Sequence, residues 1–309
     1  MAVTFYPFAN SDQVQSLDRV FASAWTGNTN DLGTSHFSSS NQYITTSPTS
    51  SGAFFMEIYD KDPHTDTTAE VQYSIAYGSR TGKGGQDFND GTGADNISAT
   101  KAIYSQYRSI VFGGDETQNF TFDGYTPDDI YIINVNRARY KNALRLGNMN
   151  LTLANGSSPS ASIISLTDDS ATTSGSANAL RAGAGREFNI VSGSNGTRIG
   201  SSNTFITNSG SYGLIYPDAG LIILNADCLD HSGSGATKDS GINLSTGVTA
   251  DTAEQNPKKL QDAIKFGGSF ILDSPVTDIW SQHSHSRPQF IYFTPSSHWQ
   301  RFAFGSPFI

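Results

Sequence analysis

The sequence predicts a mainly β protein, an antiparallel β-sandwich-like core with a few short helices, long polar loops and an extended N-terminal arm. Three observations predict it. Hydrophobic residues make up 36% of the 309 positions and charged residues 15%, with 30 glycines among a remainder rich in Ser, Thr and Asn. That composition suits short strands joined by turns more than it suits helices, which favour Ala, Leu, Glu and Lys. Second, residues 130–135 are a mostly β-branched and aromatic run. Alternate side chains of a strand face opposite ways, so Tyr131, Ile133 and Val135 share one face and Ile130 and Ile132 the other. Both faces are apolar, the mark of a strand covered on both sides. Third, Pro217-Asp218-Ala219-Gly220 lies between the apolar runs 212–216 and 221–224. Proline presets φ in a turn and Gly220 accepts positive φ, so this is the clearest hairpin in the chain.

The elements follow in order. Residues 1–50 read as an arm, in which Phe5, Tyr6 and Phe8 are apolar anchors. Ser11 can cap a helix over residues 11–24, with Val14, Leu17, Val20, Phe21 and Ala24 on one stripe. Residues 51–230 read as the β-rich core domain and 231–309 as a smaller C-terminal region. Strands are expected at 54–59 and 70–77. The second carries Val71, Tyr73, Ile75 and Tyr77 on one face and Gln72, Ser74 and Ala76 on the other, the alternation of a half-exposed sheet. Residues 99–112 fit a helix or a strand, and the helical spacing of Tyr104, Tyr107 and Val111 favours the helix. Residues 149–154 and 161–166 flank an Asn155-Gly156 turn. Residues 167–187 read as a low-complexity linker or loop. Residues 188–191 and 197–199 flank a second turn at 193–196. Asn256-Pro257 opens a helix over 256–266, with Leu260, Ala263 and Ile264 inward. The chain then ends in an aromatic-rich tail containing Trp299, Phe302 and Phe304.

Charge and cysteine content narrow the functional classes. The net charge is −9, from 28 acidic and 19 basic residues, which argues against a phosphate backbone as the main partner. The single cysteine, Cys228, excludes an intrachain disulfide and reads as a small core side chain. No apolar run is long enough for a bilayer and no signal peptide follows Met1, so no membrane partner is expected and the chain reads as made in a cytoplasm. A virion component assembled inside a host cell reconciles that with an exposed, polar, β-rich composition.

Chemistry-bearing motifs are sparse. His283 and His285 would share one face if their segment is a strand, with His298 or Asp278 as a third ligand if either comes near, but two ligands are weak evidence for a metal. Asp87-Phe88-Asn89-Asp90-Gly91 has the composition of a calcium loop without its full spacing or its terminal Glu, so it reads as a surface turn. No nucleophile elbow, phosphate loop or dinucleotide fingerprint stands in a convincing context, and no carboxylate pair is singled out by spacing. No cofactor, metal or catalytic residue is therefore assigned. Arg137, Arg139, Lys141 and Arg145 form a basic cluster in an acidic protein. They either pair with nearby carboxylates, Asp128 and Asp129 being close in sequence, or form a docking patch for an acidic neighbour.

Three stretches, Ala99 to Arg108, Asp129 to Tyr140 and Tyr216 to Asn225, resemble tail structural proteins of contractile-tailed, T4-like cyanophages (myoviruses). The resemblance spans roughly residues 54–230. It implies a non-enzymatic virion protein of the tail or baseplate, made in the host cytoplasm, whose partners are other tail or baseplate proteins and copies of itself. Phe5, Tyr6, Phe8, Arg137, Arg139, Lys141, Arg145, Trp299, Phe302 and Phe304 are the interface candidates. The alternative is a host-surface glycan-binding module of the tail-fibre or adhesin type, with a polysaccharide-degrading enzyme ranked below it.

Overall fold

The computed structural model describes residues 21–28, 37–38, 55–82, 99–154, 163–199, 210–229, 255–265 and 268–275. All of them lie in one compact unit, Phe21–Pro275. The architecture is mainly β, as the sequence predicts. Its strands are β1 (Phe21–Ser23), β2 (Phe37–Ser38), β3 (Met56–Tyr59), β4 (Val71–Ser79), β5 (Asp129–Val135), β6 (Asn150–Ala154), β7 (Ile163–Asp168), β8 (Ala179–Arg181), β9 (Gly185–Ser194), β10 (Thr197–Arg198), β11 (Gly213–Tyr216), β12 (Leu221–Asn225), β13 (Ser269–Ile271) and β14 (Asp273–Pro275). Helices α1 (Ala99–Phe112), α2 (Ala226–Leu229) and α3 (Gln255–Lys265) accompany them.

Among the described residues, twelve strands form one sheet in the order β13-β6-β7-β9-β11-β12-β5-β4-β3-β2, with β8 and β10 both paired to β9. Every neighbouring pair is antiparallel. Strand β5 sits near the middle, and its alternation sorts the core into two layers. Tyr131, Ile133 and Val135 join the inner cluster, with Tyr73, Ile75 and Tyr77 of β4, Ile222 and Leu224 of β12, and Phe188 and Ile190 of β9. Ile130 and Ile132 join the outer cluster, with Ile223 of β12, Leu214 and Tyr216 of β11, and Ile103, Tyr104 and Val111 of α1. The register holds these sets together: Ile133 lies opposite Ile75 on one side and Ile222 on the other.

The face of β4 expected to be half-exposed is largely covered: Gln72 is fully buried, Ala76 is 4% exposed and Ser74 is half-buried. Thr26 lies on Gln72, and α1 packs along the strand. The approach is close: a Cβ on Gly78 would stand 3.1 Å from the Tyr104 backbone. Alternation alone reported a polar face without showing that a helix covers it. Helix α1 itself follows the expected bounds, with Tyr104 and Val111 inward, while Ile110 is 43% exposed.

The inner face is closed by its own curvature. Leu260, Ala263 and Ile264 of α3 lie in the inner cluster, as their spacing predicts, and α3 contacts both β4 and β6. Phe270 of β13, at one end of the strand order, stands edge-on to Tyr73 of β4, with centroids 5.2 Å apart. Trp25 fills the join. Its ring lies 5.6 Å from Tyr73 and 5.0 Å from Phe270, and its Nε1 donates to the Phe270 carbonyl at 2.8 Å. The residues before it form β1, antiparallel to β14, with Phe21 opposite Pro275. This strand corrects the helix expected over 11–24 at its C-terminal end; residues 11–20 lie outside the described residues. The spacing of Phe21 and Ala24 fits a helix, but Ala24 N donates to the Leu272 carbonyl at 2.8 Å and the backbone is drawn into a ladder.

Residues 167–187 are a second correction. They contain the end of β7, all of β8 and the start of β9, and Asp168, Asp169, Ser170 and Glu187 are buried. Their polarity is answered by internal partners, described below. The β11–β12 hairpin forms as expected, with Leu214 opposite Ile223 and Ile215 opposite Ile222. Gly220 has φ 66°, and a Cβ there would run into the Tyr140 ring.

Two substitutions test this closure. Trp25→Ala removes a buried indole and its hydrogen bond to the Phe270 carbonyl, so urea denaturation should show a loss of about 3–5 kcal/mol. Gly220→Val should lose about 1–2 kcal/mol from the left-handed backbone alone, and more from the Tyr140 contact; unchanged denaturation midpoints would contradict both.

Candidate functional site

The basic segment after β5 is built from a short turn. Arg137–Arg139 form a single 3-10 turn, capped by the Asn136 side chain, which accepts from Ala138 N at 2.9 Å. The cations then diverge. Arg137 is exposed, donates to the Tyr140 carbonyl and lies 4.7 Å over the Tyr140 ring. Arg139 turns toward β4: its guanidinium is 3.0 Å from Glu70 Oε2 and donates to the Thr26 hydroxyl. Thr26 Oγ1 donates to Glu70 at 2.7 Å and accepts from Gln72 Nε2 at 2.8 Å. With Arg139, its one donor and both acceptor sites are taken. The Thr26 hydroxyl first, and then the Arg139 charge, hold the Glu70 carboxyl below its ordinary range.

Arg145 reaches the other end of the same segment. It pairs with Asp273 Oδ2 at 3.1 Å and lies 4.1 Å over the Phe21 ring. Asn148 Nδ2 donates to the same carboxylate oxygen at 2.7 Å. Lys141 is exposed, and its backbone N–H donates to Ser274 Oγ at 3.4 Å. Arg139 and Arg145 thus fasten residues 21–26 at both ends. The carboxylates near in sequence are not their partners: Asp128 pairs with Arg80 at 2.5 Å. Asp129 is buried beside Ser79 and Tyr77. Strand direction carries Arg139 and Arg145 away from the start of β5, so their partners are Glu70, just before β4, and Asp273 of β14.

Two further polar groups sit inside the fold. At the end of β7, Asp168 accepts from Gly147 N at 2.8 Å and from Ser170 N at 3.1 Å, and Asp169 accepts from Asn189 N and Nδ2, both at 3.0 Å. Burial raises the Asp169 carboxyl, against the pull of the Asn189 and Asn178 amides. On the outer layer, Arg181 grips Glu187 through Nε at 2.6 Å and Nη2 at 2.8 Å, and Tyr216 Oη donates to Glu187 Oε2 at 2.8 Å. Burial pushes the Tyr216 phenol well above its ordinary value. Arg181 also lies 4.9 Å over Phe112, tying β8 to α1. These contacts are the work of a frame: charged groups meet donors of the same chain at fixed geometry.

The surface shows something the sequence reading missed. Leu180, next to Arg181 on β8, is 80% exposed; Ile163 is 59% and Ile199 57% exposed. Leu180 lies in a stretch whose Ser and Thr content hid a strand, and the signal available was Ala179-Leu180-Arg181 before a glycine turn. Cys228 is a buried core side chain, as expected. Among the described residues, no group of three or more His, Cys, Asp or Glu stands ready for a metal ion. Phe5, Tyr6, Phe8, Trp299, Phe302, Phe304, the Asp87-to-Gly91 turn, and His283, His285, His298 and Asp278 lie outside the described residues. Comparison with protein-family models, curated proteins and solved structures finds no match to this chain.

Asp129 gives a pH test. Its carboxyl is raised above 3.8 mainly by burial, with Asp227 and Asp128 adding repulsion. A raised folded-state value means that the stabilising contribution is complete below the unfolded value and disappears as pH rises through the folded one. Asp129→Asn should therefore make acidification from neutral pH less favourable to stability than it is in the unsubstituted chain, read as denaturation midpoints across pH; an unchanged slope would refute it. Arg145→Ala should lower stability at neutral pH more than Arg137→Ala, because only Arg145 grips Asp273 and Phe21.

Proposed function

We propose that this chain is a structural component of a virion, built into the tail or baseplate of a contractile-tailed bacteriophage and acting through contacts between subunits. Its partners are other tail or baseplate proteins and further copies of itself. The observation that carries the reading is a division of labour among side chains. Arg139, Arg145 and Arg181 and the buried Asp168, Asp169 and Glu187 are bound to carboxylates, hydroxyls, amides or backbone N–H groups of the same fold. Large aliphatic side chains at Leu180, Ile163 and Ile199 stand instead on the surface. Exposed apolar groups on a rigid frame suit contact with other subunits. The resemblance of residues 54–230 to tail structural proteins of T4-like cyanophages supports the same reading. A glycan-binding surface would present aromatic rings, and the described aromatic rings line mainly the two core layers.

Detection in purified particles tests the reading. Virions whose genome encodes this chain should be banded, separated into heads and tails, and probed by mass spectrometry. The chain should be recovered in the tail fraction at a fixed ratio to other tail proteins. Recovery only in the particle-free lysate, with release of reducing sugars from host polysaccharide by the purified chain, would overturn it.

A further inference from the structure

We infer that Asn195-Gly196 is a latent site of spontaneous modification, at which the asparagine becomes aspartate or isoaspartate, and that Asn150 and Thr167 keep it silent while the β9–β10 hairpin is seated. The chemistry of this site is independent of the proposed role in assembly, and neither falls with the other.

The reactivity belongs to the dipeptide. The backbone nitrogen that follows an asparagine attacks the side-chain carbonyl carbon. A new N–C bond closes a cyclic imide, the bond from that carbon to the amide nitrogen breaks, and the nitrogen leaves as ammonia with the proton of the attacking N–H. Water then opens the imide at one carbonyl or the other, giving aspartate or isoaspartate. Glycine in second place has no side chain to hinder the attack. Asn-Gly is also the pair that a two-residue hairpin turn favours, because both positions need positive φ. Asn195 has φ 50° and Gly196 φ 71°, so turn and reactivity come from the same two residues.

The fold restrains both reacting groups. Gly196 is buried, and its N–H donates to Thr167 Oγ1 at 2.8 Å. That hydroxyl is fixed in turn, since it donates to the Met149 carbonyl at 2.8 Å. A Cβ on Gly196 would stand 2.8 Å from Gly147 Cα, so this turn is packed against residue 147. The Asn195 side chain is exposed but tied to β6. Its Oδ1 accepts from Asn150 Nδ2 at 2.6 Å, and Asn195 N donates to Asn150 Oδ1 at 2.6 Å. Asn150 itself is held in the ladder opposite Ile271 of β13. For the imide to close, the carboxamide must leave Asn150 and the Gly196 N–H must leave Thr167. A donor on Oδ1 also polarises the carbonyl and would help attack; the second bond of the pair, from Asn195 N, favours restraint, and the test separates the two.

Modification changes the hairpin. Isoaspartate runs the main chain through the former side chain and lengthens a two-residue turn, which breaks the register of Thr197 with Ser194 and of Arg198 with Gly193. The site therefore records covalently each opening of the hairpin from β6 and β7.

The unsubstituted chain, Asn150→Ala and Thr167→Val are kept folded in mildly alkaline buffer. The peptide carrying Asn195 is followed by mass spectrometry, with aspartate and isoaspartate separated by chromatography. In the folded unsubstituted chain, Asn195 should convert at least roughly tenfold more slowly than in the same chain unfolded in urea. Each variant should convert roughly five- to thirtyfold faster than the folded unsubstituted chain, the factor that one or two ordinary hydrogen bonds carry. Ile222→Val loosens the inner core without touching the hairpin and should leave the rate unchanged. Equal rates in folded and unfolded chain overturn the inference. So does an unchanged or slower rate in Asn150→Ala, which would make Asn150 an activator or a bystander. Acceleration by Ile222→Val equal to that of Asn150→Ala overturns it too, because global unfolding would then set the rate. If Thr167→Val fails to fold, Asn150→Ala decides alone, since it trims a side chain at the surface end of β6.

Discussion

The indole of Trp25 between Tyr73 and Phe270 is the contact on which the rest of this structure depends. An antiparallel sheet this wide has an apolar inner face that must be hidden from water, and twist alone curls it without sealing it. The join between β4 and β13 is where the curled sheet meets itself. A large, flat side chain with one N–H suits that place: its area fills the gap, and its donor satisfies a carbonyl at the join. Helix α3 covers the remaining opening with Leu260, Ala263 and Ile264.

Once the inner face is sealed, the polar groups act as fasteners. Arg139 holds residues 21–26 at Thr26 and Arg145 holds them at Phe21. Both are part-buried with carboxylate partners, so their charges are matched and their flat guanidinium groups can also cover apolar neighbours. Thr26 makes every hydrogen bond its hydroxyl allows. On the outer layer, Glu187 plays the matching role for β8, gripped by Arg181 and Tyr216. The consequence is a stiff frame whose exposed apolar residues, such as Leu180, are held by strands and not by loose loops. Rigid presentation lowers the entropy lost when such a surface meets a partner, which is why this division of labour fits a protein that works by being assembled.

Legibility in the sequence followed a simple boundary. Where a segment's own side chains decide its conformation, it could be read. Strand β5 carried apolar residues on both faces; Gly220 marked a turn that only positive φ can make; α1 and α3 showed helical spacing. Where a distant segment decides, reading failed. The polar side of β4 looked half-exposed because nothing in residues 70–77 reveals that α1 packs along the strand and that Thr26 lies on Gln72. Residues 21–24 looked helical because Phe21 and Ala24 are three apart, while the actual choice was made by the Leu272 carbonyl and β14. Residues 167–187 looked like a linker because their Asp, Asn and Ser find partners elsewhere, Asp168 on Gly147 and Asp169 on Asn189.

The basic cluster shows the same split. Composition singled out Arg137, Arg139, Lys141 and Arg145 as unusual in an acidic chain, and chemistry said that guanidinium groups seek carboxylates. Which carboxylates was beyond the sequence, since the nearest in number, Asp128 and Asp129, point to Arg80 and into the core. The sequence by itself determined the mainly β class, the central strand, the hairpin and helix α3, because alternation, helical spacing and turn chemistry are local. Only the tertiary structure decided that a curled sheet closes on Trp25 and that two arginines hold residues 21–26, because those contacts join residues far apart in the chain and carry no periodic signal.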